Sequence, residues 1–216
     1  MALNRIRNMA FLSTYPPREC GLATFTQNLV RELDKVKLLG KPKIIAVSNS
    51  DYSYNDRVIM ELRQHDRASF IRTAEAINNL DLDLLVIEHE YGIFGGEAGE
   101  YILDLVDNLQ IPFITTLHTV LLHPSAKQKE ILKQLGEKSA RVVTMAKNTK
   151  PALQKIYGLE PSKIEVIHHG VPYRALESRD KLKEKHGFAG RSVVSTFGLL
   201  SPGKGLEYGI SYCQCG

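Results

Sequence analysis

The sequence predicts an α/β fold in which helices cover a doubly wound parallel sheet. Three observations support this class. Short apolar segments of strand length alternate along the chain with segments in which apolar residues recur at helical spacing. The helical segments are roughly 10–15 residues long, as is usual between parallel strands. The composition, 43% apolar and 24% charged over 216 residues, is that of an ordinary soluble protein.

The predicted strands are short apolar runs bounded by turn residues. The first strand, 8–15, leads into a Pro-Pro loop. The strand at 82–88, with the sequence LDLLVIE, is typical of a strand in a buried parallel sheet. The other predicted strands are residues 43–47, 57–62, 112–117, 141–144 and 164–167.

The predicted helices are longer and show a repeating apolar face. The first helix, 24–39, has Phe25 and Leu29 at helical spacing and ends before the Gly-Lys-Pro sequence at 40–42. The helix at 97–109 carries three apolar residues on one face, at positions 101, 105 and 109. The other predicted helices are residues 69–79, 125–138 and 147–157.

The organisation changes after Pro172. Residues 173–191 are polar and charged, with a helical patch near 179–186. Residues 192–197 predict a new strand, which leads through a loop into a short helix. A single strand and helix cannot bury their own apolar faces. We therefore expect a first domain at 1–172, a linker at 173–191, and the truncated start of a second domain at 192–216.

The composition excludes several classes of protein. No apolar run approaches the roughly 20 residues that a membrane-spanning helix needs, and the first residues show no signal-peptide pattern. Three cysteines favour a reducing compartment, and we expect a cytoplasmic protein. The net charge of +4 comes from mixed charges and does not predict a nucleic-acid partner. Residues 147–191 hold ten Lys and Arg against five Asp and Glu, which fits a solvated helix face or a peripheral contact with anionic lipid headgroups.

A glycine stands at the predicted turn between the first strand and the first helix. Gly21 lets backbone N–H groups approach a ligand closely, and the N-terminus of a helix favours an anion. The turn is therefore a candidate phosphate site. An ordinary strand–helix turn is the alternative interpretation.

Polar residues follow two of the predicted strands at the edge where open α/β sheets bind ligands. Glu90, Tyr91 and Gly92 suit a hydroxyl-rich ligand, because a carboxylate accepts hydrogen bonds from hydroxyls and a tyrosine stacks on a ring. The alternative is that Glu88 and Glu90 are exposed loop charges. His118 ends the next strand and suits a general base, a hydrogen-bond donor or a structural histidine, and His123 carries the same alternatives.

Two further segments contain candidate residues. His168 and His169 precede Gly170 after the last predicted strand of the first domain. This segment is interpreted either as a hinge that forms the floor of the crevice or as a simple turn. The segment from Gly198 to Gly205 nearly matches the Walker A spacing and holds Lys204 between glycines. Gly205 stands where that motif needs Ser or Thr, so a lysine directed at a phosphate is the broader prediction.

The motifs of the chain, taken in order, carry a resemblance to a known family. They are Ser13-Thr14-Tyr15-Pro16-Pro17 with Cys20-Gly21, Glu90-Tyr91-Gly92, Leu117-His118-Thr119, Val166-Ile167-His168-His169-Gly170-Val171, and Phe197-Gly198-Leu199-Leu200 with Lys204-Gly205. Together they resemble retaining glycosyltransferase family 4, which has the GT-B fold. The resemblance extends over almost the whole chain.

This resemblance implies two Rossmann-like domains that face a cleft, without a metal or a cofactor in the chemistry. The donor is a nucleotide-diphosphate sugar, and the acceptor is a glycan, a lipid or a small molecule. By resemblance, Gly21, Gly203 and Lys204 contact the donor phosphates, and His118 contacts the transferred sugar. His118 and Lys204 are then the catalytic residues, since Lys204 neutralises charge that grows on the leaving diphosphate. The resemblance places the acceptor near residues 90–92.

The sequence also departs from the family pattern. Leu199 stands where the family usually has an arginine, and the E-x7-E segment of the family is not found before residue 216. We therefore expect a truncated glycosyltransferase that is weakly active or inactive. Two alternatives stay open: a non-catalytic sugar- or phosphate-binding module, with homodimer formation through the incomplete second domain, and a P-loop nucleotide hydrolase.

Overall fold

The computed structural model describes residues 6–36, 40–171, 173, 175–195 and 205–214. The chain divides into two compact units, Met1–Gly170 and Val171–Gly216. The first unit contains the sheet and the predicted site at its edge. Within the described residues, no helix has both the length and the apolar character to span a membrane.

The first unit is built around a seven-stranded sheet in which every pair of neighbouring strands is parallel. The strand order is β3-β2-β1-β4-β5-β6-β7. The strands are β1 (Met9–Ser13), β2 (Lys43–Ser48), β3 (Val58–Arg63), β4 (Leu84–His89), β5 (Phe113–Leu117), β6 (Arg141–Thr144) and β7 (Ile164–Val166). The predicted α/β class with a doubly wound, Rossmann-like parallel sheet is confirmed.

A helix connects each pair of consecutive strands except β2 and β3, which are joined by a loop at 49–57. Those of the first unit are α1 (Gly21–Leu33), α2 (Arg67–Asn78), α3 (Ile102–Asn108), α4 (Ala126–Lys138) and α5 (Lys150–Lys155). Short 3₁₀ turns at Tyr91–Ile93 and Glu97–Gly99 follow β4. The second unit contains α6 (Arg179–Lys185) and α7 (Leu206–Gln214).

The side chains of β1 show how the sheet is covered on both faces. Ala10 and Leu12 pack in a cluster with side chains of α2, α3 and α4. Phe11, between them, packs in a separate cluster with Val30 of α1. This alternation is what a strand buried on both faces requires. Burying each large apolar side chain contributes about 1.5–3 kcal/mol, so the two clusters hold the helices on opposite faces.

The strand order reverses next to β1, because β2 lies on one side and β4 on the other. In open α/β sheets such a reversal opens a crevice at the carboxyl ends of the strands. The loops that follow β1, β4 and β5 therefore meet at one edge. This edge is where the predicted site residues of the first unit lie.

The helices differ from their predicted bounds by up to several residues, and α1 ends at Leu33 rather than at residue 39. Two of the differences have clear local reasons. α1 begins at Gly21 rather than at residue 24, because the Cys20 Sγ accepts a hydrogen bond from the Ala23 N–H (3.3 Å) and caps the helix. The segment predicted as one helix at 97–109 is interrupted, since Ala98 and Gly99 have φ of +54° and +82°. Such left-handed residues end a right-handed helix.

The predicted strand at 192–197 is wrong for residues 192–195, which form no strand. Among the described residues of the second unit there is no other strand, so these residues have no ladder to join. Residues 196 and 197 lie outside the described residues. The domain boundaries given above stay a prediction.

Candidate active site

The site at the carboxyl edge of the sheet is centred on a histidine and a buried carboxylate. Glu88 is the fifth residue of β4, and His118 directly follows β5. The His118 Nε2 lies 2.8 Å from the Glu88 Oε2. The Glu88 side chain is completely buried, whereas that of His118 is 14% exposed. A ligand in the crevice can therefore reach the imidazole but not the carboxylate.

The pairing determines what the imidazole offers to a ligand. A carboxylate accepts hydrogen bonds, so His118 donates its Nε2–H to Glu88. In the neutral ring, Nδ1 is then the acceptor, and protonation of the ring makes it a donor. The other Glu88 oxygen, Oε1, is buried and has no hydrogen-bond partner among the described residues. Among the described residues, the Glu88 side chain thus has His118 as its polar partner.

An aromatic side chain of α1 forms the wall beside this pair. The Phe25 ring meets the His118 ring edge-on, with 4.8 Å between centroids, and the His169 ring in the same manner at 5.1 Å. The packing restricts both imidazoles and excludes water from one side of His118. The helical spacing of the sequence identified Phe25 only as a residue of the helix face, so its place at the site was missed.

The predicted acceptor residues lie immediately after β4. The Glu90 Oε1 accepts a hydrogen bond from the Tyr91 N–H (2.9 Å), and its Oε2 accepts one from the Thr119 hydroxyl (2.5 Å). The two bonds join the loops that follow β4 and β5. Glu88 is therefore not an exposed loop charge, and Glu90 is half-buried and fixed.

Tyr91 and Gly92 present different surfaces. Tyr91 is 8% exposed and packs with Leu117 and Tyr157, and burial raises the pKa of its phenol above the ordinary value. The phenol therefore stays neutral. At Gly92, an added Cβ would meet nothing within 4 Å, so the backbone faces open space. A ligand at this loop meets the Gly92 backbone more readily than the Tyr91 ring.

A cavity of about 330 Å³ opens beside Gly92. Its lining includes Gln64 and His65, which follow β3, and the glycines at 95, 96 and 99. The Gln64 Nε2 donates to the Gly92 carbonyl oxygen (3.0 Å), and the Gln64 Oε1 accepts from the Arg18 Nη1 (3.0 Å). Arg18 and Gln64 were not identified from the sequence, because neither lies in a motif and they are 46 residues apart.

The remaining candidates fall in four places. Gly21 begins α1, and an added Cβ there would meet nothing within 4 Å, so the backbone at the helix N-terminus is accessible. The His169 Nδ1 lies 2.8 Å from the Gly170 carbonyl oxygen, and His123 is exposed. Gly203 and Lys204 lie outside the described residues. Within the described part of the chain, no three His, Cys, Asp or Glu side chains converge as metal ligands.

Comparisons with known proteins agree with this fold. The sequence model of Glycosyltransferase Family 4 matches residues 20–174. One similar solved structure is a lipopolysaccharide outer core galactosyltransferase, WaaB, in its apo form: 11% identity, TM-score 0.56, covering 80% of this chain and 50% of that chain. Another is a glycosyltransferase from Rickettsia africae ESF-5: 16% identity, TM-score 0.57, covering 86% and 50%. The chain thus spans about half the length of these structures. A search of curated proteins gives no significant match.

Proposed function

Because the chain belongs to glycosyltransferase family 4, we propose that its first unit binds the acceptor in a retaining transfer from a nucleotide-diphosphate sugar. The observation that carries this proposal is the pair of His118 and buried Glu88 at the carboxyl edge of the sheet. The pair presents one oriented imidazole to the crevice. An imidazole held in this way can make a hydrogen bond to a sugar hydroxyl through its Nδ1 atom.

The donor side of the proposal rests on the start of α1. The backbone at Gly21 is accessible, and the first N–H groups of a helix have no partner within the helix. These groups and the helix dipole favour a diphosphate. We assign Gly203 and Lys204 to the same diphosphate by resemblance, because a lysine there neutralises charge that grows on the leaving group.

The acceptor side rests on the loop after β4. Both Glu90 oxygens accept one hydrogen bond within the protein, and each keeps a further lone pair for a hydroxyl. Gly92 leaves room for the acceptor beside that carboxylate. The two loops that hold Glu90 and Thr119 are joined, so the acceptor hydroxyl would meet a pre-formed surface.

The proposal is tested by titrating UDP- and GDP-sugars, and then simple sugars, into the 216-residue chain by calorimetry. We expect saturable binding that His118→Ala weakens about tenfold, the loss of one hydrogen bond. His123→Ala is the matched control, because His123 is an exposed histidine in the same loop region. The proposal fails if neither sugars nor sugar nucleotides bind, or if both histidine variants bind as the parent does.

A further inference from the structure

Arg18 is a half-buried cation that the proposed function does not use. Its Nη1 donates to the Val47 carbonyl oxygen (3.1 Å) and to the Gln64 Oε1 (3.0 Å). Both acceptors are neutral. Within the described residues no Asp or Glu forms an ion pair with Arg18, and its Nε and Nη2 make no hydrogen bond.

Four other arginines of the first unit are compensated by an acidic side chain. Arg57, Arg63, Arg67 and Arg72 each pair with an aspartate at 2.6–2.8 Å. A half-buried guanidinium without an anion is costly unless something else supplies one. Two neutral oxygens hold Arg18 in place through its Nη1 atom. The Nε and Nη2 donors remain on one edge of the guanidinium group. That edge can bind a phosphate or a carboxylate through two parallel hydrogen bonds.

The surroundings of Arg18 fit a polar ligand of moderate size. Gln64 connects Arg18 to the Gly92 carbonyl oxygen and lines the cavity of about 330 Å³. Tyr54 is near enough to feel the Arg18 charge: burial raises the pKa of the Tyr54 phenol, and the Arg18 charge acts in the opposite direction. The Tyr54 hydroxyl lies 2.9 Å from the Ser48 Oγ. Arg18 thus has a carboxamide bonded to it and a phenol in its neighbourhood.

The position of Arg18 separates it from the transferred sugar. Val47, which accepts from Arg18, lies in β2, whereas His118 follows β5. β1 and β4 lie between those two strands, so the separation is three strand spacings, or about 14 Å. A group bound by Arg18 is therefore too far from His118 to be part of the sugar that His118 contacts.

We propose that Arg18 binds an anionic group, a phosphate or a carboxylate, on the acceptor. The proposal rests on the proposed function, since it names the acceptor class of that site. The acceptor would place its reacting hydroxyl near Glu90 and its anionic group over the carboxyl end of β2. Gln64 connects the two positions.

The test compares matched ligands on the 216-residue chain by calorimetry. The probes are glucose 6-phosphate and methyl glucuronide against methyl glucoside, with UDP for the donor side and inorganic phosphate alone. We expect the anionic sugars to bind at least about tenfold more tightly than methyl glucoside. Arg18→Gln should remove that difference and leave UDP binding unchanged. Arg18→Lys keeps the charge without the fork and should retain part of the difference.

Arg72→Gln is the control variant, because it removes an exposed charge that Asp66 already compensates. Circular dichroism and urea unfolding check that each variant is folded. The proposal is overturned if anionic and neutral sugars bind equally, if Arg18→Gln weakens UDP instead, or if inorganic phosphate alone binds as tightly as glucose 6-phosphate. Binding of neutral sugars that depends on His118 would survive each of these results, so the proposed function is tested separately.

Discussion

The charged side chains on the two sides of the carboxyl edge of the sheet, Glu88 and Arg18, differ in whether they have an ionisable partner of their own among the described residues. On the β4–β5 side, the Glu88 carboxylate is completely buried and already paired with His118. On the β2–β3 side, the Arg18 guanidinium is half-buried, its hydrogen bonds within the described residues go to neutral oxygens, and one of those acceptors, Gln64, lines an open cavity. The first arrangement orients the side chain that we propose touches a ligand. The second leaves a charge that, in our proposal, an anionic group of the ligand neutralises.

Glu88→Gln tests the buried side and has the largest expected effect on activity. The amide keeps the shape of the side chain but removes the charge that favours Nε2–H on His118. We expect about a 100-fold loss of sugar-nucleotide transfer, the lower end of what general acid–base catalysis by a positioned imidazole contributes. The ¹⁵N signals of the His118 ring, recorded by NMR, should show that the Nε2–H form no longer dominates.

The matched control is Glu165→Gln, which changes an exposed carboxylate on β7. An unchanged His118 tautomer in Glu88→Gln would show that the 2.8 Å contact does not orient the ring. The contrast between Glu88, which is paired with His118, and Arg18, which has no acidic partner among the described residues, would then have no functional meaning.

Gly99→Ala tests the loop that separates the two sides. Gly99 has φ of +82°, and a Cβ there would lie 2.5 Å from the Tyr91 carbonyl oxygen. Left-handed alanine and the collision with backbone together should lower the free energy of unfolding by about 3 kcal/mol. Urea unfolding measures this loss, and Gly92→Ala, which meets nothing within 4 Å, should change stability by less than about 0.5 kcal/mol. Equal losses in the two variants would contradict a strained, glycine-dependent loop.

Most of the fold follows from local sequence patterns. All seven strands of the sheet were predicted within a few residues, because an apolar run between turn residues suffices to identify a buried strand. The errors came from conformations that the pattern does not report. The left-handed backbone at Ala98 and Gly99 interrupts a segment whose apolar spacing is helical, and the cap at Cys20 starts α1 early.

The positions of the candidate site residues were predictable from the sequence where these residues directly follow strands. Contacts between residues far apart in the sequence were not predictable. Glu90, Gly92 and His118 lie at strand ends, and parallel topology brings such residues to one edge. The sequence left open whether Glu88 is exposed, because its burial depends on β4 lying between β1 and β5. The bond from Arg18 to Gln64 joins residues 46 positions apart, and no spacing rule connects them.

Substitution of His89 has the smallest expected effect. His89 is a buried polar residue of β4, the strand that also carries Glu88, but unlike Glu88 it has no polar partner among the described residues. Neither ring nitrogen has a hydrogen-bond partner among the described residues, and the ring stacks on Phe94. Burial, with a smaller contribution from the His118 charge, lowers the pKa of His89 to about 3.

The sign of the pH effect follows from this lowered pKa. Between pH 6.5 and about 3 the unfolded chain binds a proton at His89 that the folded chain does not, so acidification through this window destabilises the fold. At pH 5 the loss should be about 2 kcal/mol relative to pH 7.5. His89→Phe should remove that share of the pH dependence, measured by urea unfolding at both pH values. An identical pH dependence in the parent and His89→Phe would mean that His89 is protonated in the folded protein, with a partner that offsets its burial.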